Sequence, residues 1–385
     1  MALNGTKWHI DSYVKSCYDK VSSNMKRNKQ ARAEKARVLR CKGSGKLLAE
    51  RFKAKPIVYY GFSIAASWAG VGSLLNTITV TKTLGIVPAL LWTAANVFAC
   101  VLFGLIVSRL PTLREVIRTK AVCSIISLMA VFQIWLNMNG IREVFADTAL
   151  GLSGGTILAY VTAIFFVVLL LWRGMIRNVL TDGASWLVVY GLIAFITIAA
   201  IIQNNGEFIT QPWGLESETL LTGLHKAFLL LPGPFTFIYF YELLNYNDEN
   251  EDSTKKVDMQ KAFILGGLFF GLYMIFSFTL AFIDFPPELN LIKAILLSLV
   301  AISSLSTFIF SIYLVFGRQY GLLIDTAAIL GWTQFMDMGV MGVWTLVASI
   351  RVYLVGAIIL AAIVMAIRRK NEESIGTQAE HEARR

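Results

Sequence analysis

Apolar positions in this chain gather in long runs rather than alternating with polar ones. Nine runs are long enough to cross a bilayer as helices: 57–81, 86–109, 121–141, 152–172, 185–203, 220–246, 261–284, 292–317 and 341–367. The pattern predicts an all-α polytopic membrane bundle. Residues 1–56 stand apart, polar and rich in Lys and Arg. Within them, 24–55 has the composition of a helix, with Val38, Leu39, Leu47, Leu48 and Phe52 as a weak apolar face. This tail reads as an interfacial helix on anionic lipid or as a solvated cytoplasmic segment that sets topology. A second polar tail covers 368–385.

The sixth run, 220–246, is interrupted at its centre by Pro232-Gly233-Pro234. Proline removes a backbone donor and clashes with the preceding turn, and glycine weakens a helix. The helix is expected to stop near Leu231 and restart near Phe235. Lipid cannot satisfy the freed backbone groups, so such a break survives only against protein or a wet cavity. The first run, five spans earlier, is rich in small residues: Gly61, Ser63, Ala65, Ala66, Ser67, Ala69, Gly70, Gly72 and Ser73. Small residues allow close helix packing in lipid. Interrupted spans at corresponding positions of two halves also mark an inverted-repeat transporter and its binding site. Five is odd, so the second half (about 220–367) would be inverted relative to the first (about 57–203).

Charge tests the topology. Cytoplasmic loops carry an excess of Lys and Arg. With the N-terminus inside, the loops holding Arg109, Arg114, Arg118 and Lys120, then Arg173 and Arg177, fall inside. Glu143 and Asp147, then Glu207, Glu216 and Glu218, then Asp284 and Glu288, fall outside. Nine spans would place Arg368, Arg369 and Lys370 outside, against the rule. A tenth, weak span at about 320–338 would restore the sign, but it carries Asp325 and Asp337 and has a short apolar centre. Hydropathy favours nine spans, with 320–338 as an interfacial or re-entrant helix.

Composition agrees with a membrane protein. The 385 residues are 56% hydrophobic and only 16% charged, where a soluble chain carries about 25% charge. The net charge of +10 is concentrated in the N-terminal tail and implies no nucleic-acid surface. Cys17, Cys41, Cys100 and Cys123 show neither metal spacing nor a paired framework. No cleavable signal peptide is expected, so the first span would direct insertion into the plasma (inner) membrane.

The eighth span reads Ala301-Ile302-Ser303-Ser304-Leu305-Ser306-Thr307 at its centre. Hydroxyls in such helices commonly bond back one turn. They also suit a hard cation, which takes oxygen ligands. The Ser303 carbonyl and the Ser306 and Thr307 hydroxyls lie on one face, since residues three and four apart are neighbours.

The AASW of the first span and the S-x-x-S-T of the eighth resemble the sodium/solute symporter family, a branch of the LeuT-like five-plus-five transporters. The resemblance covers about 57–367. It implies a sodium site built from the Ala65 and Trp68 carbonyls, the Ser303 carbonyl, and the hydroxyls of Ser306 and Thr307. Arg351 resembles the arginine that opens the family's next span. The chain departs from the family where Phe308, Ile309 and Phe310 replace a following aspartate, and in its basic tail, which stands where the family has an extra span.

The expected activity is secondary active transport: sodium-coupled symport of a small solute by alternating access. The solute would sit between the two breaks, at Ser67, Gln133, Asn137, Pro232, Gly233 and Phe235. The alternative is a transporter-derived scaffold or sensor. Gln133 and Asn137 serve equally as interhelical hydrogen-bonding amides, and Phe235, Phe237 and Tyr239 as packing. His225 and Lys226 lie inside the sixth span, where ionisable groups are costly; snorkelling to the outer interface is the simpler role for the lysine. His9, His225 and His381 do not form a metal set, and no phosphate loop is present, so enzyme chemistry is not expected. The sequence places no acid at the site to pair an amine and no arginine to pair a carboxylate.

Overall fold

The computed structural model describes residues 56–170, 175–203, 208–248, 257–285 and 287–383. The N-terminal basic segment therefore lies outside the described residues, and so does most of the 247–261 connection. The described residues belong to the unit Lys55–Arg385.

That unit is all-α. Among the described residues, seven helices are long and apolar enough to cross a membrane, and two bent helix pairs raise the number to nine. The first bent pair is α1 (Pro56–Trp68) and α2 (Val71–Leu84), which together make pass 1. Pass 2 is α3 (Ile86–Arg109). A short amphipathic α4 (Pro111–Arg118) leads to pass 3, α5 (Lys120–Val144). Passes 4 and 5 are α6 (Gly151–Leu170) and α7 (Met175–Gln203). The second bent pair, pass 6, joins α8 (Ser217–Leu230) through a 3-10 turn to α9 (Ile238–Asp248). Pass 7 is α10 (Met259–Thr279). The remaining helices are α11 (Asn290–Gly331), broken at Gly317, and α12 (Gly339–Ala383).

The outward faces of α6 and α7 are apolar: Ile157, Val161, Ile164 and Phe165 on one, Phe195, Ile198 and Ile202 on the other, are all more than half exposed. Surfaces of this kind are stable against lipid rather than water. The chain is an integral, multi-pass membrane protein.

Contacts reveal a tenth pass that composition does not mark. Gly317 has φ 75° and ψ −179°, a left-handed conformation that favours glycine, and it folds α11 back on itself. Just beyond it, Gly321 lies against the Tyr313 backbone. The returning segment then runs along α5. The Trp135 indole donates to the Ala328 carbonyl at 2.6 Å, and the Trp332 indole to Asn139 Oδ1 at 2.7 Å. Arg142 Nη1 donates to the Met336 carbonyl at 2.8 Å, and the Val340 N–H to Glu143 Oε1 at 2.6 Å. Residue 340 is thus level with the far end of α5. The long helix α12 then runs back, bringing Arg369 to Glu115 on α4 at 2.5 Å. Segment 318–338 therefore passes from one end of the bundle to the other, and the interfacial or re-entrant placement expected from hydropathy gives way. Asp325 and a short apolar centre hid the pass, and the polar residue is tolerated because one face of the segment packs on protein: Asp325 and Trp332 are both buried, while Leu323 and Leu330 are exposed. With ten passes, Arg369 returns to the end that also holds Arg114, Arg118 and Asp248.

Packing is heaviest within two groups. α10 packs on α1 and α3, and α8 on α3; separately, α11 packs on α5 and α6, and α5 on α6. With pass 8 as the arm of α11 before Gly317, pass 9 as segment 318–338 and pass 10 as α12, passes 1, 2, 6 and 7 form one group, and passes 3, 4, 8 and 9 the other.

Candidate functional site

Two breaks build the site. Pass 1 bends by 65°. Its last regular bond in α1 runs from the Ala69 N–H to the Ala65 carbonyl at 2.8 Å. Gly70 is extended at φ −134° and ψ 169°, and its backbone groups are answered locally. Its N–H donates to Ser73 Oγ at 3.1 Å, while its carbonyl accepts from the Ser73 hydroxyl at 2.7 Å and the Tyr273 hydroxyl at 3.0 Å. A side chain at 70 has no room: a Cβ there would lie 2.5 Å from Asn137 Oδ1 and 2.8 Å from Ser304 Oγ.

Pass 6 bends by 42°. As the Pro-Gly-Pro sequence dictates, α8 ends at Leu230, a 3-10 turn spans Gly233–Thr236, and Phe237 is extended before α9. Its carbonyls are satisfied within the protein: Thr236 Oγ1 donates to the Gly233 carbonyl at 2.9 Å, and the Tyr241 hydroxyl to that of Phe235 at 3.2 Å. This is irregular backbone sheltered from lipid.

The two breaks meet. Trp68, the last residue of α1, lays its ring over Gly233, whose added Cβ would fall 2.3 Å from Trp68 Cη2. Below them, Ser63 Oγ and Tyr239 Oη share a hydrogen bond at 2.9 Å. A small cavity opens beside the joint, with about 40 Å³ of water-accessible space, room for about three waters. Trp68, Gly70 and Asn76 of pass 1 line it, with Gln133 and Asn137 of α5. Ser304 and Phe308 of α11, and Trp344 and Arg351 of α12, also line it, as do Trp92 and Asn96 of α3. Lys226 stacks over Trp344, 5.7 Å from the ring centre, and Trp92 meets the same ring edge-on at 4.7 Å.

Most polar groups in the wall are spent on one another. Ser304 Oγ donates to Asn137 Oδ1 at 2.8 Å, and Asn137 Nδ2 to the Gln133 carbonyl at 2.9 Å. Three nitrogens are not: Asn76 Nδ2, Gln133 Nε2 and Arg351 Nε are buried without a hydrogen-bond partner. Arg351 is 6% exposed. Its guanidinium lies 6.0 Å from the Trp68 ring centre, and among the described residues it makes no ion pair. An arginine at mid-membrane depth costs about 2.5–3.5 kcal/mol on insertion scales, and a cation–π contact returns about 2 kcal/mol at most.

The structure sorts the expected site residues. Gln133, Asn137 and Gly233 meet Trp68, Ser304 and Arg351 around the joint. Pro232 is half-buried at the start of the 3-10 turn. Ser67 turns its hydroxyl back to the Ser63 carbonyl at 2.8 Å, the local bond such hydroxyls favour. Phe235 packs edge-on against Phe103 at 5.2 Å. Ser67, Pro232, Gly233 and Phe235 do not line the cavity, whereas Gln133 and Asn137 do. Of the expected cation ligands, Ala65 offers a carbonyl already accepting from Ala69, while Ser306 and Thr307 are buried in α11. The Ser303 side chain lies outside the described residues. Ser304, not assigned a role from sequence, is the hydroxyl that reaches the Gly70 break. His225 is exposed.

Sequence reasoning missed Arg351 and Asn76. The signal for Arg351 was present: a lone charge within an apolar run is a functional hypothesis by default. The residue was read instead as the arginine that opens the family's next span. Among the described residues no three His, Cys, Asp or Glu side chains cluster as a metal site.

No protein-family model and no curated protein matches the chain. Among solved structures, the chain is similar to a manganese transporter from Eremococcus coleocola, crystallised with an aromatic bis-isothiourea compound; the TM-score is 0.38 at 14% identity, over 86% of this chain and 75% of that one. The likeness is distant.

Proposed function

We propose that the protein is a secondary transporter that moves a small solute by alternating access. The observation carrying this reading is the meeting of two broken passes, five apart in the chain and opposite in direction, beside a polar cavity inside the bundle. The packing supports the motion, since passes 1, 2, 6 and 7 form one closely packed group and passes 3, 4, 8 and 9 another. Rocking one group against the other would expose the cavity to either side in turn. The basic end, with Arg114, Arg118 and Arg369, would face the cytoplasm by the excess of positive charge there.

The sodium-coupled form of this reading retains the cage expected from the family resemblance: the Ala65, Trp68 and Ser303 carbonyls with the Ser306 and Thr307 hydroxyls. A cation there would tie α1 to α11, and cation and solute would raise each other's affinity if both favour one state. Uptake into proteoliposomes, with and without a sodium gradient, tests the reading. Gradient-driven uptake that Ser306→Ala combined with Thr307→Ala abolishes supports the cage. Uptake indifferent to sodium removes the cage and leaves the transporter, and no uptake of any solute under either gradient returns the protein to a scaffold or sensor.

A further inference from the structure

We infer that the cavity between the breaks takes a small carboxylate, a monoanion carrying no ammonium group, and that Arg351 is its charge partner. This rests on the transporter reading only for the passage of the ligand, not for its binding.

The cavity contains one formal charge, that of Arg351, and no carboxylate among its lining residues. Its three unanswered buried atoms are all N–H donors, on Asn76, Gln133 and Arg351, each residue being more than nine-tenths buried. They belong to passes 1, 3 and 10, and all three residues line the cavity. The amides of Asn76 and Gln133 could present either end, but a guanidinium only donates and stays charged. A donor-only set around a fixed cation is complementary to an acceptor-only anion, and a planar guanidinium matches a carboxylate in geometry as well as charge. The rest of the wall, with Trp68, Trp344 and Phe308, suits an apolar body on that anion. A zwitterionic amino acid would bring an ammonium group with no acid to receive it. A metal cation would meet like charge and donors.

Arg351 also touches the machinery that would move. It stacks on Trp68 at the break of pass 1, and its Nη1 lies 3.5 Å from the position of a Cβ at Gly233 in the break of pass 6. An anion on Arg351 would bear on both joints at once.

The test is direct binding to purified protein in lipid nanodiscs, read by the fluorescence of the cavity tryptophans and by calorimetry. The probes are acetate, propionate and benzoate, with acetamide, propionamide and benzamide as neutral matches. Saturable binding of a carboxylate, at least 10-fold tighter than its amide, is expected. Arg351→Met should abolish it, Arg351→Lys should weaken it 10-fold or more, and Gln133→Leu should weaken it several-fold. Equal binding of amide and acid, binding unchanged in Arg351→Met, or no carboxylate binding at all overturns the inference. If Arg351→Met does not fold, Gln133→Leu and Asn76→Leu decide it, since both leave the charge in place. Arg351-dependent binding without proteoliposome uptake would sink transport and keep the anion site. Uptake of a neutral or cationic solute, with no carboxylate bound, would do the reverse.

Discussion

The Trp68 indole lies directly against Gly233, so that the residue ending the first half of pass 1 forms the floor of the break in pass 6. These residues come from the two halves of the chain. Their contact makes one joint out of two interruptions, and the cavity opens beside it.

Gly233→Ala tests that contact. The added Cβ would meet Trp68 Cη2 at 2.3 Å and Cζ2 at 2.9 Å, and an indole has no flexible end to yield. Overpacking of this kind costs about 1–3 kcal/mol. The melting temperature in detergent should fall, and ligand binding should fall with it. A variant that melts like the parent would show that the joint is loose.

The course of 318–338 can be read by labelling. With the N-terminal side of α5 inside the cell, cysteine at Met338 should react with a membrane-impermeant thiol reagent on intact cells. Cysteine at Arg368 should react only after the membrane is opened. The same side for both would contradict the tenth pass.

Tyr273→Phe removes one of the donors to the Gly70 carbonyl. That carbonyl still accepts from the Ser73 hydroxyl and from the Leu74 N–H at 3.2 Å. The loss should therefore lie near the low end of the usual range of about 0.5–1.5 kcal/mol for a hydrogen bond. Denaturation in mixed micelles checks it. A loss of several kcal/mol would mean that the hydroxyl alone holds the break open.

Asp258 caps α10 at the end of the bundle that holds Arg114 and Asp248, accepting from the Lys261 N–H at 3.2 Å with the Lys261 ammonium at 3.0 Å. These hydrogen bonds from Lys261 hold its carboxyl below the usual carboxylate value. A depressed value means the cap contributes above the unfolded pKa and is lost as pH falls through the folded one. Asp258→Ala should cost about 1 kcal/mol at neutral pH, as for other caps. The difference in melting temperature from the parent should shrink at pH 3, and an unchanged difference there would exclude the carboxylate as its source.

Much of this architecture was legible in the sequence, because lipid imposes simple rules. Apolar length marked nine passes, and Pro232-Gly233-Pro234 marked the break in pass 6 to within a few residues. The break in pass 1 was visible only as a density of small residues. What fixes it at Ala69-Gly70 is the crowding of Asn137 and Ser304 against Gly70, and no local pattern records contacts so far apart in the chain. The ninth pass was obscured because hydropathy counts every face alike, whereas here Asp325 and Trp332 are buried and Trp332 meets α5 and α6. Charge carried the missing information: three basic residues after 367 required an even number of passes. Arg351 was seen only as the family's span-opening arginine, since no local pattern shows that the fold buries it beside Trp68.

Passes 8 and 9 are joined at Gly317 with no loop between them, the helix simply reversing at one left-handed residue. The ninth carries Asp325, a residue that disfavours membrane insertion by about 2.5–3.5 kcal/mol at a helix centre. During synthesis it therefore has little tendency to leave the translocation channel by itself. It would enter the bilayer as the second arm of a hairpin, drawn in by its strongly apolar neighbour and then hidden behind α5. A lengthened linker at Gly317 would part the two arms, and the nascent chain would then tend to leave the second arm, and with it the final helix, on the wrong side.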